Sequence, residues 1–248
     1  MKLLFRIWAV LNFLAVLTSA DRCYGISVSV IVPCYYKHFE HIPQLLEHLS
    51  NQSQIPDEVV ISLSEAYRVS LSDIDSVKNA AYPFKLVFLT TSDVKFAGEN
   101  RNIAAEAAQG DILITQDADD IPHIQRVEII TYFMEKLSAD HIIHQWVKEG
   151  REFEKKSSNT PVWCEQYDSF ENFCVNKITR IRHLLKYKWT TCGNIAIRKK
   201  IFEKVKWTRD KSEEDVKFNK EVIRKYKNTY FIQEPLLIYR QHLSSSRR

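Results

Sequence analysis

Short apolar runs alternate with amphipathic segments along the first half of the chain. The runs are rich in branched residues, and each ends in a polar or proline-containing loop, as buried parallel strands do. They cover Ile26–Val32, Val59–Leu63, Leu86–Leu89 and Ile112–Thr115. Apolar residues recur at helical spacing in Ile42–Leu49, Leu71–Ala80 and Ala97–Ala108. This alternation predicts a parallel sheet covered by helices, with right-handed crossovers.

The second half of the chain has a less regular pattern. Helices are predicted over Ile124–Leu137, Ile178–Leu185 and Val216–Tyr226. Extended segments are predicted over Ile142–Val147, Ile195–Ile197, Tyr230–Ile232 and Leu236–Tyr239, with a turn at Gly150. No repeat or Pro/Gly-rich hinge interrupts this order, so we expect a single domain over residues 21–248.

The N-terminal residues differ from the rest. Lys2 and Arg6 flank the start of an apolar segment from Ile7 to Leu17, and Thr18-Ser19-Ala20 follows. This order predicts a signal peptide over residues 1–20 and a location in the secretory lumen or outside the cell. The alternative is an uncleaved signal-anchor, although the run is shorter than the approximately 20 residues that span a bilayer. Membrane association is expected only through this segment.

The amino-acid composition excludes few classes of protein function. A net charge of +4, with one denser basic stretch from Arg198 to Lys211, does not indicate nucleic-acid binding. That stretch is typical of a solvated helix face, with an acidic acceptor or a membrane surface as alternative contacts. Five cysteines leave at least one thiol free or paired between chains in an oxidising compartment. The five glycines form neither a dinucleotide fingerprint nor a P-loop, which disfavours dehydrogenases and P-loop kinases.

The most chemically specific segment is GDILITQDADDIP, in which an apolar strand leads directly into Asp117, Asp119 and Asp120. Three carboxylates at the end of a buried strand repel one another, and a cation would compensate their charge. The alternative is that Asp119 or Asp120 caps a helix whose first turn holds Pro122. Ligands collect at the carboxyl ends of parallel strands, and this position favours a metal site.

Five segments, taken in order, resemble glycosyltransferase family 2 and its GT-A fold. They are VSVIVPCYY, FAGENRNIAAEAAQGDILITQDADDIP, CGNIAIRKKIF, SEEDVKF and YRQH, and they span nearly all of Ser27–Ser246. Their joint occurrence at compatible spacing is specific, although each is short. The resemblance implies an α/β fold with a Rossmann-like, mostly parallel sheet covered by helices and a mixed C-terminal half on the acceptor side.

The same resemblance implies an inverting, metal-dependent enzyme. It would move a sugar from a nucleotide diphosphate sugar, with a UDP-sugar favoured, to a hydroxyl group on a glycan, lipid or protein. A sugar nucleotidyltransferase is one alternative, but it predicts a glycine-rich loop after the first strand, and PCYYKH contains no glycine. The other alternative is a non-catalytic nucleotide- or carbohydrate-binding module.

The resemblance also assigns roles in donor binding. Asp119 would hold a Mn²⁺ or Mg²⁺ ion, and Asp117 would contact the ribose or share the metal, whereas Asp120 would lie behind them or cap a helix. His242 in YRQH would complete the metal shell or touch the diphosphate, with a lone surface histidine as the alternative.

Further family positions would bind the nucleotide. Pro33 and Tyr35 would frame the base, and Arg101 would reach the diphosphate or the base. Many relatives carry acidic residues after the second strand, where this chain reads ISLSEA. Its serine hydroxyls or Glu65 would substitute for them.

Glu214 and Asp215 in SEEDVKF match the acidic pair of the family. An acceptor hydroxyl becomes a good nucleophile when a carboxylate takes its proton, and Asp215 is the candidate base. The alternative is a capping box from Ser212 to Asp215 at the start of the following helix.

Overall fold

The computed structural model describes residues 25–150, 178–181, 192–210 and 213–240. The strands are β1 (Val28–Tyr35), β2 (Glu58–Ser64), β3 (Lys85–Thr90), β4 (Ile112–Thr115), β5 (Ile121–Pro122), β6 (His141–Lys148), β7 (Ile178–Ile181), β8 (Ile195–Arg198) and β9 (Thr229–Tyr239). The helices are α1 (Ile42–Ser50), α2 (Leu71–Asn79), α3 (Ala97–Ala107), α4 (Arg126–Lys136), α5 (Lys199–Phe202) and α6 (Glu214–Lys225). Short helical turns cover Tyr36–His41, Ala66–Arg68 and Cys192–Asn194.

All described strands join one sheet, in the order β3-β2-β1-β4-β8-β6-β9-β5, with β7 also paired to β9. Strands β1 to β4 are mutually parallel, as the sequence predicts. Strand β8 runs antiparallel between β4 and β6, and β9 is parallel to β6. The C-terminal half of the sheet is therefore mixed.

The core lies on both faces of the sheet because neighbouring side chains of a strand point to opposite faces. Val30 and Val32 of β1 pack with α1, α2 and α4, whereas Ile31 packs with α3, α5 and α6. All three side chains are fully buried, and each such burial contributes about 1.5–3 kcal/mol. Two covered faces explain why β1 and β2 are buried along almost their whole length.

Several elements differ from the sequence expectation. The helix predicted over Ile178–Leu185 is wrong at residues 178–181, which form β7 antiparallel to β9; residues 182–185 lie outside the described ranges. The two predicted closing strands are one strand, β9, whose register with β6 shifts near Pro235, a residue that cannot donate to a ladder. Strand β5, with only two residues, was not predicted.

The predicted signal peptide at residues 1–20 lies outside the described residues, and the secretory location stays a prediction. Within the described ranges, no helix is long and apolar enough to cross a bilayer. Cys34 is buried with a free thiol, and Cys23, Cys164 and Cys174 lie outside the described ranges.

Candidate active site

The carboxyl ends of β1, β2 and β4 meet at one edge of the sheet. Asn100 of α3 fixes two of them, because its Oδ1 accepts a hydrogen bond from Ser62 Oγ at 2.6 Å and its Nδ2 donates to the Cys34 carbonyl at 2.9 Å. Ser64 Oγ also donates to the Cys34 carbonyl, at 3.4 Å. Both serines are fully buried, so their hydroxyls serve the sheet rather than a ligand.

The three aspartates follow β4 at this edge, and each has a different partner. Asp117 Oδ1 accepts a hydrogen bond from Arg101 at 2.7 Å, and Asp120 Oδ1 accepts one from the backbone N–H of Arg240 at 3.0 Å. Asp119 Oδ2 faces His38 Nδ1 at 3.7 Å. Burial raises the pKa of Asp119 and, together with the charges of Asp117 and Asp119, raises that of Asp120 well above its usual range.

The helix-cap alternative for Asp119 and Asp120 is not realised. Strand β5 comes directly after them, and α4 begins only at Arg126, with Gln125 in the N-cap position. The carboxylates are therefore held inside the molecule without a helix terminus of their own to stabilise them.

Gly193 lies beside two of these carboxylates and has no side chain to fill the position next to them. A Cβ atom at this residue would lie 3.2 Å from Asp120 Oδ2 and 3.3 Å from Asp117 Oδ2. Asp120 Oδ2 is buried and receives no hydrogen bond from any described residue. Two carboxylate oxygens that converge on the position of a missing side chain fit the hard-oxygen preference of Mg²⁺ and Mn²⁺.

The described side chains supply only part of a coordination shell. Among residues 25–150, 178–181, 192–210 and 213–240, no three His, Cys, Asp or Glu side chains form a group that could hold a metal ion. An ion at the aspartates would take further ligands from a bound diphosphate or from water, as Mg²⁺ commonly does. The candidate ligand His242 lies outside the described residues.

Arg101 connects the aspartates to the acidic pair on α6. Its guanidinium is buried and pairs with Asp117 at 2.7 Å and with Glu214 at 3.2 Å. Gly98, in the first turn of α3, makes this approach possible, because a Cβ there would lie 2.5 Å from the Thr208 carbonyl oxygen. The arginine-bearing helix thus packs directly against the segment that leads to α6.

Asp215 lies in the first turn of α6. Burial and the adjacent charge of Glu214 raise the pKa of its carboxyl to about 6. Its Oδ1 accepts a hydrogen bond from the backbone N–H of Val216 at 2.7 Å. The N-cap position belongs to Glu213, in a left-handed conformation with φ of 62° and no side-chain cap bond; Ser212, where the alternative capping box begins, lies outside the described residues.

The candidate base-binding residues lie at the ends of β1 and β2. Pro33 and Tyr35 are partly exposed, and the Tyr35 ring meets the Tyr36 ring edge to face at 4.5 Å. Glu65 is buried, takes φ of 54°, and pairs with Arg68 at 3.1 Å. The Glu65 carboxylate is thus engaged within the protein.

Arg126 is a central residue that sequence reasoning missed. It is fully buried and donates to the carbonyls of Thr115 and Gly193, both at 2.7 Å, to Gln116 Oε1 at 3.1 Å and to His144 Nε2 at 3.0 Å. These bonds hold the end of β4 to the turn that contains Gly193. An arginine at the start of an amphipathic helix is usually solvated, so the sequence pattern gave no sign of this burial.

Arg126 also supplies charge behind the aspartates. Burial lowers the pKa of its guanidinium to about 9, while the charges of Asp120 and Asp117 raise it. No described carboxylate lies within ion-pair distance of it, so its partners are neutral acceptors and its charge acts on the aspartates from a distance.

Comparison with known proteins decides the family. The model of glycosyl transferase family 2 matches residues 29–206, more than half of the chain. The chain belongs to glycosyl transferase family 2. This family 2 chain is 26% identical over 227 residues to an uncharacterized glycosyltransferase of Haemophilus influenzae, covering 88% of this chain and 70% of that protein.

Solved structures establish the GT-A fold of this family 2 member. S. aureus TarS 1–349 in complex with UDP-GlcNAc matches with a TM-score of 0.66 and 18% identity, over 89% of this chain and 61% of that chain. The mannosyltransferase PcManGT of Pyrobaculum calidifontis, in complex with GDP-Man and Mn²⁺, matches with a TM-score of 0.59 and 17% identity, over 87% and 56%. The chain therefore spans about three fifths of these two solved relatives.

Proposed function

We propose that this family 2 protein is an inverting glycosyltransferase that uses a nucleotide diphosphate sugar, with Asp215 as the general base. The observation that carries the proposal is the Asp215 carboxyl, whose pKa of about 6 lies in the range suited to proton abstraction near neutral pH. Arg101 joins this acidic pair to the strand-end aspartates through Glu214 and Asp117. The donor and the base would therefore share one cluster.

In the proposed reaction, Asp215 takes the proton of an acceptor hydroxyl on a glycan, lipid or protein. The hydroxyl oxygen forms a bond to the anomeric carbon, and the bond from that carbon to the diphosphate oxygen breaks. The electron pair leaves with the nucleoside diphosphate. Attack opposite the leaving group inverts the configuration at the anomeric carbon.

The donor is proposed to lie along the strand ends, against Pro33, Tyr35 and Arg101. TarS was solved with UDP-GlcNAc and PcManGT with GDP-Man, which supports a nucleotide-sugar donor, and we favour a UDP-sugar. Asp119 and Asp117 would hold a divalent cation, which would neutralise charge on the departing diphosphate when bound.

The test is a transfer assay with UDP- and GDP-sugars, Mn²⁺ and a panel of acceptors. Asp215→Asn is expected to lower kcat about 10²- to 10⁴-fold, the usual contribution of a general base, while UDP binding stays close to that of the wild type. Asp210→Asn, an exposed aspartate on the same approach to α6, is the matched control and should retain activity.

The outcomes separate the alternatives. Full turnover by Asp215→Asn would rule out this residue as the base. Metal-dependent UDP binding without release of sugar, across the whole panel, would favour a non-catalytic binding module. Formation of a nucleotide sugar from a sugar phosphate and a nucleoside triphosphate would favour a nucleotidyltransferase.

A further inference from the structure

His38 lies against the aspartate cluster although it is 79 to 82 positions earlier in the sequence. It belongs to the helical turn Tyr36–His41, which follows β1 at the ligand-binding edge of the sheet. Its Nδ1 faces Asp119 Oδ2 at 3.7 Å, and its side chain is mostly buried. The imidazole ring is flanked by Tyr35 and His41, with ring centroids 6.0 Å and 6.4 Å away.

The separation between His38 and Asp119 suits a shared ion better than a direct bond. A distance of 3.7 Å is too long for a hydrogen bond between nitrogen and a carboxylate oxygen. Metal bonds to imidazole nitrogen and carboxylate oxygen are about 2.0–2.2 Å long, so two ligands of one ion lie at most roughly 4 Å apart. The 3.7 Å between His38 Nδ1 and Asp119 Oδ2 falls within that limit.

A second observation points to a cation at the same place. Asp120 Oδ2 is buried and receives no hydrogen bond from the described residues, and together with Asp117 Oδ2 it lies around the position that a Cβ of Gly193 would occupy. A buried carboxylate oxygen without a donor is costly unless a charge compensates it. The charges of Asp117 and Asp119 both act on Asp120, and His38 faces Asp119.

We propose that His38 is a nitrogen ligand of the divalent cation held by Asp119, an inference that rests on the metal dependence proposed above. One imidazole among carboxylate and phosphate oxygens changes the ion that the site prefers. Imidazole suits transition-metal ions, whereas Mg²⁺ prefers oxygen ligands. The site therefore selects a transition-metal ion over Mg²⁺.

The test measures the ligands directly, without turnover. Pulsed electron paramagnetic resonance of Mn²⁺ bound to the full chain with UDP should show a ¹⁴N coupling from a coordinated imidazole. His38→Gln should lose that coupling and bind Mn²⁺ about tenfold more weakly or worse, with a much smaller change in Mg²⁺ affinity. His41→Gln, the neighbouring histidine, is the matched control and should keep the coupling.

Each other outcome overturns the inference. Mn²⁺ bound without any ¹⁴N coupling in the wild type refutes His38 as a ligand but leaves the metal dependence intact. A coupling that persists in His38→Gln assigns the nitrogen to another residue. If the wild type binds no Mn²⁺ with UDP, the proposed metal dependence fails as well.

Thermal melting of His38→Gln close to that of the wild type excludes unfolding as the cause of a lost signal.

Discussion

Replacing Arg126 by methionine tests whether this buried guanidinium holds the site together. Methionine keeps much of the volume but donates no hydrogen bond. The Thr115 and Gly193 carbonyls, Gln116 Oε1 and His144 Nε2 would each lose a donor. The His144 ring cannot compensate by changing tautomer and protonating Nε2. Its Nδ1 lies 2.8 Å from the Gln145 carbonyl oxygen, which accepts a hydrogen bond and therefore needs the proton on Nδ1.

The expected magnitude follows from these four acceptors. A buried acceptor left without a donor costs about 1–3 kcal/mol, and the sum is offset in part because a buried charge no longer has to be desolvated. We expect a net loss of about 3 kcal/mol or more in the free energy of unfolding. Removing one partner from a buried charged network typically costs about 3–5 kcal/mol.

Urea unfolding of Arg126→Met and of the wild type, followed by circular dichroism, measures this loss. Arg224→Met is the control, because Arg224 forms an exposed pair with Glu221, and such pairs contribute about 0–1 kcal/mol. A loss below about 1 kcal/mol in Arg126→Met, equal to that of the control, would refute the argument that the network depends on this residue.

Two further predictions concern the chemistry of the site. Asp215 must be ionised to accept a proton. Because its pKa is raised to about 6, kcat/KM should fall as the pH decreases through about 6. A pH profile that stays flat down to about 4, the ordinary pKa of an aspartate, would contradict this prediction. Gly193→Ala would place a methyl group 3.2–3.3 Å from two carboxylate oxygens and Leu237, and such overpacking costs about 1–3 kcal/mol. Calorimetry should therefore show that the affinity for Mn²⁺ in the presence of UDP falls about tenfold. An unchanged affinity would contradict the placement of the ion.

The first half of the fold could be predicted because its signals are local. Each strand from β1 to β4 is a short branched run, and the parallel order follows from the intervening helices. The rule that ligands collect at the carboxyl ends of strands also predicts that Pro33–Tyr36, Ser62–Glu65 and the aspartate cluster converge on one site. Arg101 opens the helix before β4, and its contact with Asp117 spans only 16 positions.

The features that escaped prediction depend on distant parts of the chain. Ile178 and Ile181 have helical spacing, yet they pair with β9 about 50 positions later, and the ladder determines their conformation. His38 reads as an ordinary polar residue after a strand until the sheet brings Asp119 beside it. Glu65 was predicted to contact the nucleotide, a role that remains a prediction, but no local pattern indicated its pairing with Arg68.

The pair between Arg101 and Glu214 joins residues 113 positions apart, and this distance has a consequence for synthesis of the chain. The strands β1 to β4 and the helix that carries Arg101 leave the ribosome well before Glu214 does. Until α6 is made, the guanidinium of Arg101 has Asp117 as a partner but lacks its second carboxylate. A truncated chain ending before α6 would therefore leave Nη1 of Arg101 without the carboxylate that accepts its hydrogen bond, so Glu214 completes the bonding of a side chain in the half that folds first.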